Sequence, residues 1–387
     1  MKKQKGLFVI EEFNNFKEDS GAYVHTLVGY EQLSRYYDLL WLKSKKNKET
    51  QIQNSDGSIS ELSFLKRKLH LLGFIGTIKD LMILVHELIS IPKKIYILKN
   101  RNIKFVYQRA HYLGYAWLVA CKILKTPHFY EVNGIFSLDM SGYRKSLIYG
   151  IVKFVEKQMY RYTDKGFFVG GINETLGLKG ENTEIIQNGI DRNYIIEADN
   201  LHDNRINTKE ASVIKIAFVG HIMQHHRLDL LISGISKTQN TGDFELHIFG
   251  KENPNINLSI PSNIFVKYYG EIKHSELPKL LTQFQVGIVP YAKDYYSNMK
   301  LFAYCASRLL VIAPNSKNFK RIFANSQVLF FENENIESLA KVLNRVSNIS
   351  VNERLNMTNN AYALIKSNYT WEVIFRRKTE VINQFLK

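Results

Sequence analysis

The chain is 387 residues long, with 45% hydrophobic residues, 12% aromatic residues and only two cysteines, Cys121 and Cys305. The length is too great for one ordinary hydrophobic core, so we expect two domains, and the composition excludes a disordered chain. Two cysteines so far apart in sequence exclude a disulfide scaffold and fit a reducing compartment.

Positive charge dominates the sequence. Lysines and arginines number 52 against 36 aspartates and glutamates, a formal net charge of +16. Residues 1–187 alone hold 28 basic and 18 acidic residues, which gives +10. Such an excess suits a polyanion, an anionic membrane surface or phosphate-bearing ligands. A nucleic-acid-binding module is the least favoured of these, because the basic residues form no interleaved basic–aromatic pattern.

The chain start indicates a first strand rather than a signal peptide. The opening MKKQKGLFVIEEF is basic and then apolar, but acidic residues follow at once and no small-residue cleavage site appears. No run of about 18 uncharged apolar residues exists, so no transmembrane span is expected.

Apolar runs and helical patterns alternate through the first half of the chain. The predicted strands cover residues 6–12, 37–42, 103–110, 126–134, 166–171 and 183–191. Ligands of parallel βαβ units bind beyond the carboxyl ends of the strands. The candidate residues there are Asp19, Gly21, Arg109, Glu131 and Asn133. Two interpretations of Glu131 stay open: a general base or acceptor-binding group, or a structural carboxylate that caps a loop.

The segment 61–99 mixes large apolar residues with basic clusters and has few acidic residues. One interpretation is one or two long helices packed on a sheet, with solvated lysines. The other is a basic amphipathic surface that rests on anionic lipid. Pro92 is expected to bound the helix.

The second half repeats the rhythm of strands and helices. Residues 192–212 are polar and patternless, so the domain boundary is expected there. Further strands are predicted over residues 213–221, 244–251, 263–272, 286–289, 309–313 and 326–331, and three helices follow to the C-terminus. The predicted fold class is therefore α/β, with two doubly wound domains.

The stretch from Phe284 to Pro314 forms one complete predicted βαβ unit. A helix is expected to start near Asn298, a good N-cap residue. Lys300, Tyr304 and Arg308 follow one turn apart and so share roughly one face. A polar loop that leads into a helix start with a lysine suits a phosphate. An ordinary βα crossover is the alternative.

Five stretches, in order, give the chain a resemblance to GT-B type bacterial glycosyltransferases (glycosyltransferase group 1, family 4-like). They are TPHFYEVNG, IIQNGID, IAFVGHIMQHHRLDLLISGI, the pair LHIFG and YYGEI, and VPYAKDYYSNMKLFAYCASRLLVIAP, which is similar to the donor signature Lys-Leu-x-Glu-Tyr. The resemblance covers nearly the whole chain. It implies the GT-B architecture, two doubly wound Rossmann-like domains that face a central cleft. Residues 1–190 would be the acceptor-side domain, with helix 370–387 packed back on it, and residues 191–369 the donor domain.

The chain departs from the family pattern at the donor signature. The signature glutamate, which typically holds donor hydroxyls, falls at Ala303, and a second glutamate of the retaining subgroup falls at Tyr295. The usual glycine of the small-residue run falls at Arg308. Without these glutamates, the sequence does not indicate retaining or inverting stereochemistry.

Two usual cations of the family are also replaced. The arginine after the first glycine of the donor domain falls at His221, and the following lysine falls at His226. The spacing suggests that Arg227 and Lys300 take over the cationic role. A nucleoside diphosphate leaves with negative charge, so the site needs cations, amides and helix N-termini.

The resemblance and the strand ends together imply three sets of site residues. The donor-binding set is Gly220, His221, Arg227, Gly250, Gly270, Glu271, Ile272, Tyr291, Ser297, Asn298 and Lys300. The catalytic candidates are Glu131 and Asp19, and the acceptor-binding candidates are Gly21, Arg109 and Asn133. The sequence has no clustered Asp/Glu or Asp-x-Asp pattern, so no metal and no cofactor is expected beside the nucleotide-sugar substrate.

The favoured function is transfer of a sugar from a nucleotide-sugar to a lipid-linked or envelope glycan acceptor, as in capsule or lipopolysaccharide synthesis. The alternatives are a nucleotide-sugar epimerase on the same fold and a catalytically silent nucleotide-binding partner, which the loss of the glutamate at Ala303 favours. The acceptor implies a cytoplasmic enzyme, peripheral on the inner face of the cytoplasmic membrane. Its predicted membrane contacts pair a basic set with an apolar set: Lys66, Arg67, Lys68, Lys93 and Lys94 with Phe64, Leu71, Leu72, Phe74 and Ile75.

Overall fold

The structure is a computed structural model that describes residues 3–11, 21–43, 73–138, 145–202, 213–253, 256–297 and 299–386. It divides the chain into two compact units, Met1–Ile186 with Arg377–Lys387, and Gln187–Arg376. Asp19, Asn298, the cluster Lys66–Lys68 and its apolar neighbours Phe64, Leu71 and Leu72 lie outside the described residues.

The first unit is built on a six-stranded parallel sheet in the order β2-β1-β3-β4-β5-β6. Its strands are β1 (Lys5–Ile10), β2 (Asp38–Lys43), β3 (Phe105–Arg109), β4 (His128–Val132), β5 (Lys165–Val169) and β6 (Thr183–Ile186). Its helices are α1 (Gly21–Ser34), α2 (Phe74–Asn100), α3 (Ala116–Leu124), α4 (Tyr149–Tyr162) and the short α5 (Ile172–Thr175).

The second unit is built on a second six-stranded parallel sheet, in the order β12-β11-β10-β7-β8-β9. Its strands are β7 (Ile214–Val219), β8 (Phe244–Phe249), β9 (Phe265–Tyr268), β10 (Val286–Ile288), β11 (Leu310–Pro314) and β12 (Val328–Phe331). Its helices are α6 (Arg192–His202), α7 (Leu228–Ser236), α8 (Leu277–Leu281), α9 (Met299–Ala306), α10 (Lys317–Ile322), α11 (Ile336–Asn348) and α12 (Val351–Asn368). The last helix, α13 (Trp371–Phe385), starts in the second unit and ends in the first.

Burial on both faces explains why these segments form parallel strands. The strands at the centre of each sheet are continuous apolar runs, such as LFVI in β1 and VGI in β10, and nearly all their side chains are buried. Parallel strands with helices on both faces require such runs. The prediction of two doubly wound α/β domains is therefore confirmed.

The break between the units falls at 186/187 rather than at 190/191. The Gln187 and Asn318 side chains bond to each other at 2.7 and 3.1 Å, which ties Gln187 to the second unit. Ile190 forms backbone hydrogen bonds with Tyr369 and Trp371 of the same unit. These bonds keep the Asn188-Gly189 turn with the second unit.

The final helix joins the first unit only from Arg377 onward. There, the Tyr37 hydroxyl donates to Asn383 Oδ1 at 2.8 Å, and Phe385 packs edge-on against Phe129 with ring centroids 5.5 Å apart. The expected return of residues 370–387 thus begins seven residues later, because Trp371 is buried in the second unit against Gly189.

Two predicted breaks in secondary structure are wrong. Residues 192–202 form α6, because Tyr194, Ile195 and Ala198 bury one narrow side of an otherwise polar segment. Pro92 lies inside α2 rather than at its end. Glu87 and Lys94, on either side of Pro92, are buried with their charged groups 3.1 Å apart, so the helix packs against the protein on both sides of the proline.

The turn between α9 and β11 has an arginine in a left-handed conformation, with φ 54° at Arg308. This is the position where the family usually has glycine. The Arg308 guanidinium bonds to Asp199 at 3.1 Å and stacks on the Tyr362 ring, 3.9 Å from its centroid. These contacts offset the steric cost of a left-handed side chain, which is about 1–2 kcal/mol.

We therefore expect Arg308→Ala to be less stable than Arg308→Gly. Both variants lose the same contacts, but only alanine keeps the backbone strain, so the difference should be about 1 kcal/mol. Urea denaturation of both variants beside the wild type measures this. An alanine variant as stable as the glycine variant would contradict the assignment of strain to this turn.

Candidate active site

The carboxyl edge of the second sheet is where the predicted donor residues gather. Strand β7 lies between β10 and β8, and the chain leaves β7 toward β8 but later returns on its other side as β10. Ligands of open α/β sheets bind at such a reversal of strand order. The loops after β7 and β10 meet there, and α9 begins beside them.

Three glycines bring the backbones at this edge into close contact. Gly220 and Gly250 have φ values of 144° and 154°. A Cβ atom on Gly250 would lie 2.1 Å from the Gly220 carbonyl oxygen and 2.8 Å from the His221 nitrogen. The Gly220 amide donates to Phe249 at 2.7 Å, and the Gly250 amide donates to Gly270 at 2.7 Å. No hydrogen bond occupies the His221 amide within the described residues.

Lys300 supplies an ammonium group at the same point. A Cβ on Gly220 would lie 2.8 Å from Lys300 Nζ, which lies over the Phe218 ring at 4.4 Å from its centroid. Among the residues that the structure describes, no carboxylate pairs with Lys300. Burial lowers the pKa of Lys300 to about 7. The ammonium form of Lys300 therefore has no carboxylate partner among the described residues, and it lies in the first turn of α9, where anions are favoured.

Two histidines, His221 and His226, line the loop after β7 and have different partners. His226 Nδ1 donates to the His221 carbonyl at 2.5 Å, and its ring packs on Phe218. Burial and the nearby Lys300 lower the pKa of His226 to about 3, so this ring is neutral at pH 7. His221 Nδ1 accepts from the Lys251 amide at 3.2 Å, and its Nε2 lies 3.6 Å from Glu271.

Arg227 does not provide a free cation. Its guanidinium bonds to Asp229 at 3.0 Å and to Glu334 at 2.8 Å, and its backbone is left-handed with φ 50°. Two carboxylates already neutralise it, so the suggested transfer of the cationic role falls on Lys300 alone.

The remaining donor candidates Ser297, Tyr291 and Ile272 lie in other surroundings. The Ser297 hydroxyl accepts from the Asn188 amide at 3.2 Å, and the Ser297 carbonyl accepts from the Asn188 side chain at 2.8 Å. Ser297 is therefore committed to the Asn188-Gly189 turn. Tyr291 is half-buried, and Ile272 packs on the apolar core of the unit.

The two positions where the family has glutamates are buried in this protein. Ala303 is 6% exposed, and its carbonyl lies 3.4 Å from the Tyr194 hydroxyl. Tyr295, at the other glutamate position, is 9% exposed. Tyr304 is fully buried, and its hydroxyl accepts from the Val219 amide at 2.8 Å, which ties α9 to β7. Lys300 and Tyr304 thus both face β7, whereas Arg308 points to Asp199 and Tyr362.

In the first unit, Glu131 lies inside a closed network of polar groups. Its Oε1 accepts from Asn133 at 3.0 Å and faces His25 at 3.1 Å, and its Oε2 contacts the Tyr107 hydroxyl and the Lys378 ammonium. Burial opposes the charge on Glu131, but Lys378 and His25 outweigh it and hold the pKa of this carboxyl well below its usual value. Burial lowers the pKa of His25 to about 4, so this ring is neutral at pH 7.

This network favours a structural role for Glu131, one of the two interpretations that the sequence left open. Each of its oxygens already has two partners, and the carboxylate is 3% exposed. Asn133 belongs to the same network. Arg109 donates to the Thr26 hydroxyl at 2.5 Å, and Gly21 is the first residue of α1.

A second buried charge cluster in the first unit was missed from sequence. Glu11, directly after β1, lies 3.1 Å from His111 and 3.3 Å from Lys94, and it accepts from Trp117 at 2.8 Å. Its position at a strand end was a usable signal. Lys378 gave no signal, because it falls in an ordinary amphipathic helix pattern.

The same cluster is the one place in the described ranges where three ligating side chains could hold a metal. The ligand atoms of Glu11, Glu87 and His111 lie within 4.8 Å of one another. Lys94 Nζ lies 3.1 Å from Glu87 and 3.3 Å from Glu11. An ammonium therefore occupies the cationic position of this cluster, so these residues do not fit a metal ion.

Comparison with known proteins agrees with this geometry. Residues 214–348 match the family model described as glycosyl transferases group 1. This segment, the matched domain, is thus similar in sequence to group 1 glycosyl transferases. The matched residues include β7, the following loop with His221 and His226, and Lys300. The predicted resemblance to GT-B glycosyltransferases is therefore confirmed. No curated protein matches the chain by sequence.

Solved structures show that the whole chain has the GT-B fold. A glycosyltransferase from Rickettsia africae ESF-5 aligns with a TM-score of 0.65 and 14% identity, over 100% of this chain and 99% of that one. Anabaena Alr3699/HepE in complex with UDP-glucose gives 0.61 and 13%, over 98% and 99%. The lipopolysaccharide outer core galactosyltransferase WaaB gives 0.65 and 15%, over 98% and 99%. The chain is therefore similar to GT-B glycosyltransferases in its fold and, over residues 214–348, in its sequence.

We expect Glu131→Gln to destabilise the protein strongly. The change leaves the Lys378 ammonium, which is 1% exposed, without a counter-charge, and such a loss costs about 3–5 kcal/mol. Asp164→Asn is the matched control. It removes the partly exposed partner of Lys122 and should cost less than about 1 kcal/mol. Denaturation curves measure both. A Gln variant as stable as the wild type but devoid of turnover would instead make Glu131 a catalytic base.

Proposed function

We propose that this glycosyltransferase moves a hexosyl sugar from a nucleotide-sugar to a lipid-linked or envelope glycan acceptor. The group 1 domain supports the reaction class. The complex of Alr3699/HepE with UDP-glucose supports a nucleotide-sugar donor. WaaB, a lipopolysaccharide galactosyltransferase on the same fold, supports an envelope glycan as the acceptor.

The observation that carries the proposal is that the Lys300 ammonium lies near a backbone amide, that of His221, which has no hydrogen bond among the described residues. The Lys300 ammonium has no carboxylate partner among the described residues, and the neighbouring His221 amide has no hydrogen bond there. Gly220 and Gly250 keep side chains away from both groups. An ammonium and an amide at one sheet edge match the diphosphate of a nucleotide-sugar.

These groups supply the electrostatic part of sugar transfer. As the bond between the sugar and the diphosphate breaks, negative charge builds up on the leaving phosphate. In this proposal Lys300 and the His221 amide face that charge and stabilise the transition state. We therefore propose a metal-independent transfer, with Lys300 in the place of a divalent cation and no cofactor.

The acceptor and the location belong to the same proposal. We assign acceptor binding to the first unit, where Arg109 and Glu11 lie at the carboxyl ends of β3 and β1. No helix within the described ranges is long and apolar enough to cross a bilayer. A lipid-linked acceptor would then be reached by peripheral attachment at the inner face of the cytoplasmic membrane.

A catalytically silent nucleotide-binding partner is the second candidate. It is favoured by Ala303 and Tyr295, which are apolar or buried where the family has glutamates. Incubation with a panel of nucleotide-sugars and a lipid-linked glycan acceptor separates the two functions. Release of nucleoside diphosphate, with the sugar on the acceptor, supports the transferase. Tight nucleotide binding without turnover of any donor supports the silent partner, and isomerised donor without acceptor indicates an epimerase.

We expect Lys300→Ala to weaken UDP binding by about ten- to a hundredfold, because a charge-assisted contact contributes about 1.5–3 kcal/mol. Isothermal titration calorimetry measures the affinity. Lys251→Ala is the control, since this exposed lysine contributes only its backbone amide to the site. Unchanged affinity in Lys300→Ala would remove Lys300 from the donor site.

The pKa of Lys300 makes UDP binding depend on pH. With a pKa of about 7, the ammonium form is full below pH 6 and falls about tenfold for each pH unit above 8, so affinity should fall as pH rises. Lys300→Arg keeps its charge throughout and should flatten this dependence. The neutral His226 ring does not titrate in this range. An equal slope in wild type and Lys300→Arg would contradict the role of the ammonium.

A further inference from the structure

Helix α2 of the first unit buries charged side chains and exposes apolar ones, the opposite of the usual amphipathic arrangement. Its buried side carries Asp80, Glu87 and Lys94, which are spaced seven residues apart and so form one stripe. Asp80 accepts from the Tyr112 hydroxyl at 2.8 Å, and Glu87 accepts from the Ala116 amide at 3.0 Å. Each of the three charged side chains thus has a bonded partner inside the protein.

The opposite side of α2 is apolar and exposed. Seven large apolar side chains there are between 46% and 72% exposed: Phe74, Ile78, Leu81, Met82, Val85, Leu88 and Ile89. Their spacing of three and four residues places them on one face. Large exposed apolar patches of this kind mark interaction surfaces.

Helix α4 extends this apolar surface. Leu147, two residues before α4, and Ile151 and Phe154 within it are 52–64% exposed and are spaced three or four residues apart. The Leu147 amide donates to Thr77 Oγ1 of α2 at 2.8 Å, which joins the start of α4 to the first turn of α2. We call the two exposed sides together the α2/α4 face.

The exposed charges on these two helices have one sign. They are Lys79, Lys93, Lys99, Lys153, Lys157 and Arg161. The acidic residues of the two helices, Asp80, Glu87 and Glu156, are all buried. Glu156 accepts from the Phe136 and Ser137 amides at 2.8 and 3.0 Å. The face therefore combines exposed apolar side chains with exposed charges that are all positive.

We propose that the α2/α4 face docks on the surface of an anionic lipid bilayer. A helix with an apolar face and lysines beside it lies in the interfacial plane, where apolar side chains enter the lipid and lysines meet the anionic headgroups. Two copies of the chain would instead oppose like charges across the face. The proposal deepens the proposed function, since it rests on the lipid-linked acceptor for its purpose, but not for its geometry.

The structure also revises the predicted lipid contacts. Lys94 is buried and paired with Glu87 and Glu11, so it is not a surface charge. Ile75 is half-buried, whereas Phe74 and Lys93 are exposed. The contact moves along α2 to the stretch from Ile78 to Ile89.

The experiment is sedimentation of the full chain with vesicles of phosphatidylglycerol and phosphatidylcholine, against phosphatidylcholine alone. Wild type should bind the anionic vesicles, and less so as salt rises, because surface charges are screened. Ile89→Glu should weaken this binding by at least tenfold. Leu355→Glu, an exposed apolar-to-acidic change on α12 of the second unit, is the matched control and should bind like wild type. Lys153→Gln with Lys157→Gln should weaken binding to anionic vesicles only.

Two further readouts keep the test decisive. Both native cysteines are buried, so an Ile89→Cys variant can carry a single environment-sensitive fluorophore, which should shift to the blue only with anionic vesicles. UDP affinity should be equal in all variants, which shows that they are folded and separates this test from that of the donor site.

Binding to neither vesicle, or equal loss in Ile89→Glu and Leu355→Glu, would overturn the proposal even if UDP still binds. A dimer in sedimentation equilibrium that Ile89→Glu dissociates would assign the face to a second copy and overturn it as well. Failure of UDP binding with intact vesicle binding would instead count against the proposed function alone.

Discussion

The proposed activity depends on one ammonium that has no carboxylate partner among the described residues, that of Lys300. Lys300 lies against the Phe218 ring at the edge where β7 and β10 diverge, and no carboxylate of the described residues neutralises it. A half-buried cation without a partner costs stability, because burial disfavours the charged form. That cost is recovered when an anion binds, so the site is poised for a phosphate. The neutral His226 and the paired Arg227 leave this single cation in place.

In the first unit, unlike at Lys300, the buried charges of Glu131 and Lys94 are paired with opposite charges. Glu131 is surrounded by His25, Tyr107, Asn133 and Lys378, and Lys94 lies between two glutamates. Paired charges of this kind fix which surfaces face inward. In α2 they do so at the expense of the usual pattern, because the charged stripe is inside and the apolar stripe is outside.

The sequence alone was sufficient for the fold, because the fold follows from apolar runs and strand ends. Gly220, Gly250 and Lys300 were predicted from local signatures of close backbone approach and of a helix start, and the structure brings them to one sheet edge. The ion pairs of Arg227 and Glu131 could not be predicted, since their partners Glu334 and Lys378 are more than a hundred residues away. Helix periodicity identified α2 as amphipathic but not which side faces the core, because that depends on the tertiary partners of Asp80, Glu87 and Lys94. The left-handed Arg308 likewise needs Asp199 and Tyr362, which no local pattern connects to it.

The most direct test of the central claim is a crystal structure of the protein in complex with UDP. The account predicts a phosphate oxygen within hydrogen-bonding distance of both Lys300 Nζ and the His221 amide, about 2.7–3.1 Å. A diphosphate bound elsewhere, with Lys300 still over Phe218 and no anion beside it, would contradict the account.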